Sequence, residues 1–448
     1  MEAAKQKSQL TKNLFSLTLV QVATYILPLV SVPIISRIIG PGKFGLINFG
    51  VAYISYFTLI ISYSFDFTAT RKITKDPGNE QNRNEVFSEV FYTQCLLFLI
   101  STITFIILLL TVSQFKENAT LLIFSYTLCI STLFTQNWLF QAMQDLDKVA
   151  IFNVISKVIF TIAILVVIRK NEDYIWQPLL IGLIQTAIAI WSFFWSIKRY
   201  HIKLLKFDIK RCWRVLVEEK MIFFSLIFVN LYTYTNTIIL GLFQNEVQVG
   251  YYTAAQRLIL IAQSVLAMPL AQAFYPFIGK AFGESREKGL ILAQKLIPLI
   301  IIFTGVASIF ILVLGPFVIR IFYGAKFDHS IPIFQLLAII PLLFSLNNVL
   351  GIQIMVNLGM DKQFFLISAA AGVFSVLLNL LIVRHWGYIG TTFNWLFTEV
   401  FLFTTMFFVL KKANLNPINF SYFRLSSLKE YISPLRNKIP FINLKKNG

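Results

Sequence analysis

Acidic residues are scarce in this chain, and cysteine and histidine are scarcer. Only 21 of the 448 residues are Asp or Glu, against 39 Lys and Arg. The three cysteines, Cys95, Cys129 and Cys212, fit no metal or disulfide spacing. The three histidines, His201, His329 and His385, lie far apart with no ligand spacing. No metal site and no cofactor is therefore expected. No GxxxxGK[ST] cradle, HExxH helix, paired CxxC or nucleophile elbow occurs. The chain is expected not to be an enzyme, and no nucleic-acid partner is expected.

Charge of either sign is missing from long stretches. Twelve windows are nearly charge-free: 14–36, 44–65, 90–115, 118–144, 149–168, 174–197, 221–245, 247–279, 289–319, 331–360, 363–383 and 386–410. Each is about 20 residues or longer, enough for a helix to cross about 30 Å of hydrocarbon. Runs such as Leu96–Leu110 are far too uniform for barrel strands, which alternate polarity over about ten residues. A large soluble helical protein would place charges on one face of most helices. Eight of the windows contain none. The expectation is an all-α polytopic membrane protein with twelve crossings.

The net charge of +18 becomes intelligible when it is sorted by position. With the N-terminus inside, alternate gaps hold 28 basic residues and the outer gaps hold 8. This positive-inside split puts both termini in the cytoplasm. The first window is expected to be retained, because no small-residue cleavage site follows it.

The basic stretch 198–220 divides six windows from six. Gly42-Lys43-Phe44-Gly45 opens the second window and Gln248-Val249-Gly250 the eighth, with Gly45 over Gly250. Asp147-Lys148 precedes the fifth window and Asp361-Lys362 the eleventh. These matches suggest a duplicated six-span unit, hence two parallel bundles around a central cavity, an alternating-access plan. The expected organisation is a bundle over 1–197, a cytoplasmic linker over 198–220, a second bundle over 221–410, and a tail over 411–448. The tail mixes basic residues with Phe420, Tyr422, Phe423 and Leu425 and reads as an amphipathic stretch on anionic lipid.

Charges inside spans are costly, at least about 2.5–3.5 kcal/mol near the centre, and usually face a cavity or a partner. Lys157 near mid-membrane either holds an anionic group or pairs with Glu399. Arg257 suits phosphate oxygens or snorkels outward. Lys295 lies near the inner surface, where ligand contact and snorkelling are balanced. Arg37 is a cap, an interface anchor or a ligand. Asp66 is expected to pair locally with Arg71, and Glu399 is a candidate for a coupling proton. Three in-span bases against one clear acid favour an anionic cargo. Tyr232, Tyr234, Tyr251, Tyr252, Trp138 and Trp395 either stack on sugars or belong to interface belts.

Several segments resemble bacterial polysaccharide-unit flippases, the O-antigen-type branch of the MATE-like exporter superfamily. They are Ser36-Arg37-Ile38-Ile39-Gly40-Pro41-Gly42-Lys43-Phe44-Gly45, Tyr63-Ser64-Phe65-Asp66-Phe67-Thr68-Ala69-Thr70-Arg71, Trp138-Leu139-Phe140-Gln141-Ala142-Met143-Gln144 and Gly250-Tyr251-Tyr252-Thr253-Ala254-Ala255-Gln256-Arg257. Lys72 departs from the pattern, standing where an acid is often seen. The resemblance covers residue 10 to about 412. It implies a flippase that carries undecaprenyl-pyrophosphate-linked oligosaccharide from the cytoplasmic to the periplasmic leaflet, coupled to an ion gradient. Membrane lipids, a polysaccharide polymerase and a chain-length regulator are the implied partners. The alternative is a MATE-like multidrug or small-molecule antiporter, which would need essential cavity acids.

Overall fold

The computed structural model describes residues 2–423, with side chains from residue 31 onward except at a few positions between 229 and 276. The tail expected over 411–448 therefore lies outside the described residues from 424 on. All secondary structure among the described residues is helical. In chain order the α-helices are α1 (Glu2–Ser62), α2 (Phe65–Thr74), α3 (Glu80–Thr111), α4 (Ser113–Glu117), α5 (Ala119–Phe134), α6 (Asn137–Ala142), α7 (Leu146–Val167) and α8 (Trp176–Arg199). They continue with α9 (Ile209–Thr233), α10 (Thr235–Phe243), α11 (Glu246–Glu284), α12 (Arg286–Tyr323), α13 (Ser330–Leu336), α14 (Ile340–Asn348) and α15 (Asp361–Lys412). Eight stretches among the described residues are long and apolar enough to cross a membrane.

Two of these helices are too long for one crossing. The 61 residues of α1 and the 52 of α15 would extend roughly 80–90 Å at 1.5 Å per residue if straight. Each breaks at one glycine, Gly40 (φ 70°) in α1 and Gly387 (φ 51°) in α15. Glycine takes this left-handed geometry without the steric penalty a Cβ would bring. The arms 41–62 and 388–412 are each long enough for a further crossing. Both breaks fall at or beside gaps read from the sequence.

The uniform window 331–360 is not one regular helix. Here α13 passes through a 3₁₀ turn (Leu337–Ile339) into α14, which leads into a π-helical stretch, Val349–Val356. Pro341 sits at the start of α14, where its missing N–H costs nothing. Four helix ends carry one cap geometry, a left-handed residue followed by a six-to-one hydrogen bond. The left-handed residues are Gln144, His201, Gly359 and Asn414. Their bonds are Asp145 N to Phe140 O (2.9 Å), Ile202 N to Ile197 O (3.0 Å), Met360 N to Met355 O (2.9 Å) and Leu415 N to Leu410 O (3.0 Å). Gln144 precedes Asp147-Lys148 and Gly359 precedes Asp361-Lys362.

The described residues form two compact units. One contains residues 2–254, 317–330 and 379–391; the other contains 255–316, 331–378 and 392–423. The first has an aromatic core that includes Phe65, Phe87, Trp138, Phe140 and Phe193. Trp138 Nε1 donates to Gln136 Oε1 (2.5 Å), and Gln136 Nε2 donates to Gln94 Oε1 (3.1 Å), so the buried indole is satisfied. Buried Arg83 donates from Nη1 to Pro77 O and from Nη2 to Tyr200 O, both at 2.9 Å, tying the start of α3 to the end of α8. The second unit packs Ile278, Ile297, Ile354, Met355 and Leu410. Large apolar side chains stay exposed on α3 (Ile103, Ile107, Leu110) and α12 (Phe303, Phe310, Val313). Lipid is as apolar as these residues, so their exposure carries no hydrophobic penalty there.

In the first unit, segments far apart in sequence meet around the two glycine breaks. A Cβ on Gly45 would lie 1.9 Å from Glu246 O, and one on Gly250 would lie 2.0 Å from Pro41 O. The backbones of α1 and α11 thus touch through a reciprocal glycine pair. Gln244 Nε2 donates to Val383 O (2.8 Å), and Tyr388 N donates to Gln248 Oε1 (3.1 Å). Phe44 packs edge-on against Tyr323 and Phe327 at 5.6 and 5.7 Å.

Candidate substrate cavity

A cavity of about 180 Å³ lies between α5, α6, α7 and α8 of the first unit. Its lining is Ser131 of α5 and Thr135 just past its end, Asn137 and Phe140 of α6, Phe152, Asn153, Ser156 and Lys157 of α7, and Gln185, Ile188, Ala189 and Ser192 of α8. The spacing explains the shared faces: Asn153, Ser156 and Lys157 repeat at three and four residues, as do Gln185, Ala189 and Ser192. Some of these groups are satisfied within their own helices. Thr135 Oγ1 donates to Ser131 O (2.8 Å), Asn153 Nδ2 to Val149 O (2.9 Å) and Ser192 Oγ to Ala189 O (2.9 Å). The side chains of Ser131, Asn137, Ser156 and Gln185 make no hydrogen bond to any described residue. Ser131 and Ser156 are only 6% and 7% exposed. Behind this lining, Phe152 meets the rings of Trp191 (5.3 Å) and Trp195 (6.2 Å) edge-on.

The six residues singled out in the sequence divide between the units. Lys157, Arg37 and Asp66 fall in the first; Arg257, Lys295 and Glu399 fall in the second. Lys157 lines the cavity. Arg37 caps the last turn of α12, its Nη2 donating to Ile321 O (2.5 Å) and Arg320 O (3.3 Å). A cation there meets the negative end of the helix dipole, the cap role among its alternatives. Half-buried Arg257 on α11 makes no hydrogen bond or ion pair with a described residue. Lys295 lies over the Tyr422 ring at 5.8 Å. Asp66 is exposed in the first turn of α2 and has no ion pair among the described residues. The expected pair with Arg71 does not form, because residues five apart point to different sides of a helix. Lys72, the departure from the family pattern, pairs with buried Glu219 (3.1 Å) and with Glu218 (3.7 Å).

Glu399 is buried in α15 of the second unit. Its Oε2 accepts from Asn347 Nδ2 (2.7 Å) and its Oε1 from Trp395 Nε1 (3.4 Å). Nearby, Asn394 Nδ2 donates to Ser375 Oγ (2.9 Å). These neutral partners escape a search restricted to ionisable residues. One signal was available: Thr391, Asn394 and Thr398 recur on one face of an apolar helix, and all three are fully buried. Trp138 and Tyr252, read as possible sugar platforms, are fully buried core residues. The side chain of Tyr232 lies outside the described ones.

Long lipid-compatible helices, glycine-turned hairpins and polar groups held within apolar helices define a multi-pass membrane protein. The fold is similar to that of a solved structure titled Lipid II flippase MurJ, inward closed conformation, with TM-score 0.74 and 15% identity, covering 96% of this chain and 94% of that one. It is also similar to an inward-facing multidrug resistance MATE family transporter of the MOP superfamily, with TM-score 0.65 and 15% identity, covering 95% and 99%. The sequence pattern of the family described as Polysaccharide biosynthesis protein matches residues 10–282, and the chain belongs to that family. Relatives from Escherichia coli (strain K12) and Shigella dysenteriae, each given the provisional name O-antigen transporter, are both 26% identical. The matches cover 91% and 89% of this chain and 98% and 99% of the relatives.

Proposed function

We propose that this protein is a flippase for undecaprenyl-pyrophosphate-linked oligosaccharide units of a surface polysaccharide, moving them from the cytoplasmic to the periplasmic leaflet. The observation that carries this reading is a polar cavity holding Lys157 between apolar helices, in a family whose relatives are named for O-antigen transport. Arg257 and Lys157 carry the anionic headgroup and its first sugars, with Lys295 nearer the inner surface. Arg37 holds the end of α12. Twelve crossings in two six-helix bundles, 1–197 and 221–410, with cytoplasmic termini and the 198–220 linker, complete the proposal. The cap at 144 returns at 359 and the cap at 201 returns at 414, 215 and 213 residues on, which supports the duplication. The glycine contact between α1 and α11 lies at the end assigned to the outside. It supports alternating access with that side closed in this state. A polymerase and a chain-length regulator are the proposed downstream partners.

The decisive test is gene deletion. Lipid-linked units should accumulate in the inner leaflet while drug susceptibility stays unchanged. Normal surface glycan with lost drug efflux would sink the flippase reading in favour of an antiporter. Arg257→Ala and Lys157→Ala should each lower glycan export about tenfold, equivalent to about 1.4 kcal/mol, with normal protein levels by immunoblot. Wild-type export in both would refute the cationic headgroup site.

Ion coupling is assigned to Glu399, a carboxylate enclosed by neutral partners. Glu399→Gln retains a carbonyl oxygen that can accept from Asn347 but cannot ionise. In proteoliposomes the variant should flip down a substrate gradient at near the wild-type rate and lose its response to imposed proton or sodium gradients. A gradient response equal to wild type would remove Glu399 from the coupling path.

A further inference from the structure

Several large apolar side chains of the first unit lie exposed where no charge-free window accounts for them. Leu204, Phe207, Ile209, Trp213 and Val217 all precede the window that begins at residue 221, and Trp213 and Phe207 are 68% and 53% exposed. Hydrocarbon explains the exposed residues of α3 and α12, but not these. Basic residues are interleaved with them. Lys203, Lys206, Lys210 and Arg214 are exposed and make no ion pair among the described residues. Arg211 is set apart, because it pairs with Asp208 at 3.7 Å.

The backbone that carries these residues is held in place. Residues 202–208 run without helix beside the start of α3. Lys203 N donates to Asn84 Oδ1 (2.9 Å), Leu205 N donates to Ser88 Oγ (2.9 Å), and Tyr92 Oη donates to Leu205 O (2.8 Å). The Phe207 ring meets the Tyr92 ring edge-on at 5.5 Å. Four residues of helix advance about 6 Å, and two residues of extended chain about 6.6–6.8 Å. Asn84, Ser88 and Tyr92 therefore meet residues 203, 205 and 207 in turn. The strap follows α3 in the same direction and ends at the edge of the window that starts at residue 90.

The chain enters α9 at the same level. Tyr63 Oη, near the end of the window 44–65, donates to Leu216 O (2.8 Å). The first turns of α9 thus sit where charge-free windows meet basic gaps, the depth of lipid headgroups. Ile209, Trp213 and Val217 recur every four residues and share one stripe, and Lys210 and Arg214 form the stripe beside it. Cys212, Val215 and Glu219 are buried and make up the inward face. An exposed apolar stripe beside a basic one is the pattern of a helix resting in a membrane interface.

We propose that the strap and the first turns of α9 form a binding surface for anionic phospholipid of the adjoining leaflet. Lys203, Lys206, Lys210 and Arg214 hold its phosphate groups. Leu204, Phe207, Ile209 and Trp213 lie among its acyl chains. Cations beside apolar side chains complement a ligand that is an anion at one end and hydrocarbon at the other, whereas an acidic protein partner would answer only the charge. Because α3 fixes the backbone of the strap, its lysines are presented without the ordering cost of a loose linker. The surface is separate from the cavity between α5, α6, α7 and α8, and it does not depend on what the protein carries.

The test uses the full chain in neutral detergent, titrated with dioleoyl phosphatidylglycerol or dioleoyl phosphatidylcholine and read by native mass spectrometry. Wild type should hold the anionic lipid roughly thirtyfold or more tightly than the zwitterionic one, since each interfacial basic residue contributes about fivefold. Lys206→Gln combined with Arg214→Gln should weaken phosphatidylglycerol binding about thirtyfold and leave phosphatidylcholine binding unchanged. Lys411→Gln combined with Lys412→Gln removes the same charge at another exposed basic segment and should change binding less than threefold. All four positions are exposed, so both double variants should melt with the wild type in the absence of added lipid. Equal retention of the two lipids by wild type, or equal losses from the two double variants, would overturn the proposal. So would an undiminished lipid preference in Lys206→Gln/Arg214→Gln, the result expected if this face serves an acidic protein instead. No transport is measured, so the outcome bears on this surface alone and leaves the flippase reading to its own test.

Discussion

Gly45→Ala should cost about 3 kcal/mol or more of stability, beyond the ordinary 1–3 kcal/mol of overpacking. The new Cβ would fall 1.9 Å from Glu246 O and 2.6 Å from Gly250 N. Both obstacles are backbone atoms, so no side chain can swing aside. The start of α11 must move, and contacts such as Tyr388 N to Gln248 Oε1 move with it. Gly250→Ala meets Pro41 O at 2.0 Å and should behave alike. The double variant should cost less than the sum, because one displacement relieves both clashes. Gly305→Ala in α12 is the reference. Nothing lies within 4 Å of its Cβ position, and it should gain about 0.5–1 kcal/mol from helix propensity. Thermal unfolding of the purified chain in detergent measures all four. A melting temperature for Gly45→Ala equal to wild type would rule out the glycine contact.

Arg83→Ala should cost about 4 kcal/mol, combining a cavity with two lost charge-assisted hydrogen bonds. Arg83 is only 6% exposed, and its guanidinium bonds Pro77 O and Tyr200 O at 2.9 Å. Lysine cannot replace this forked geometry, so Arg83→Lys should recover less than half of the loss. Arg71→Ala, at an exposed position without an ion pair among the described residues, should stay within about 0.5 kcal/mol. Protease resistance of the α2–α3 turn is the sensitive readout, since that turn depends on the Pro77 contact. Unchanged cleavage in Arg83→Ala would refute the role.

The turns at Gly40 and Gly387 were legible because a charge or a Pro-Gly pair interrupts the apolar runs beside them. The irregular path over 331–360 was not legible. No charged residue breaks that run, and its π-helical stretch depends on packing. A Cβ on Gly351 would meet the Phe364 ring at 2.5 Å, a contact that exists only once α15 is in place. The cavity was half legible. Lys157 announces itself as a charge in an apolar window. Its neutral neighbours do not, because a hydroxyl in a membrane helix usually bonds its own backbone, as Ser125 Oγ does to Leu121 O at 2.8 Å. Only the tertiary arrangement separates Ser156, left facing a cavity, from Ser125, already satisfied.

The reciprocal glycine contact also sets a schedule for biogenesis. Gly45 meets its partner only after Gly250 has been synthesised, and the Gln248–Tyr388 bond must wait for Tyr388. At about 5–20 residues per second, the first interval lasts roughly 10–40 s and the second bond follows roughly 7–30 s later. During that time α1 can pack on α5 and α7, but its Gly45 face has no α11 to meet. An insertion chaperone or a membrane protease thus has its window of access to the nascent chain before the α1–α11 contact closes.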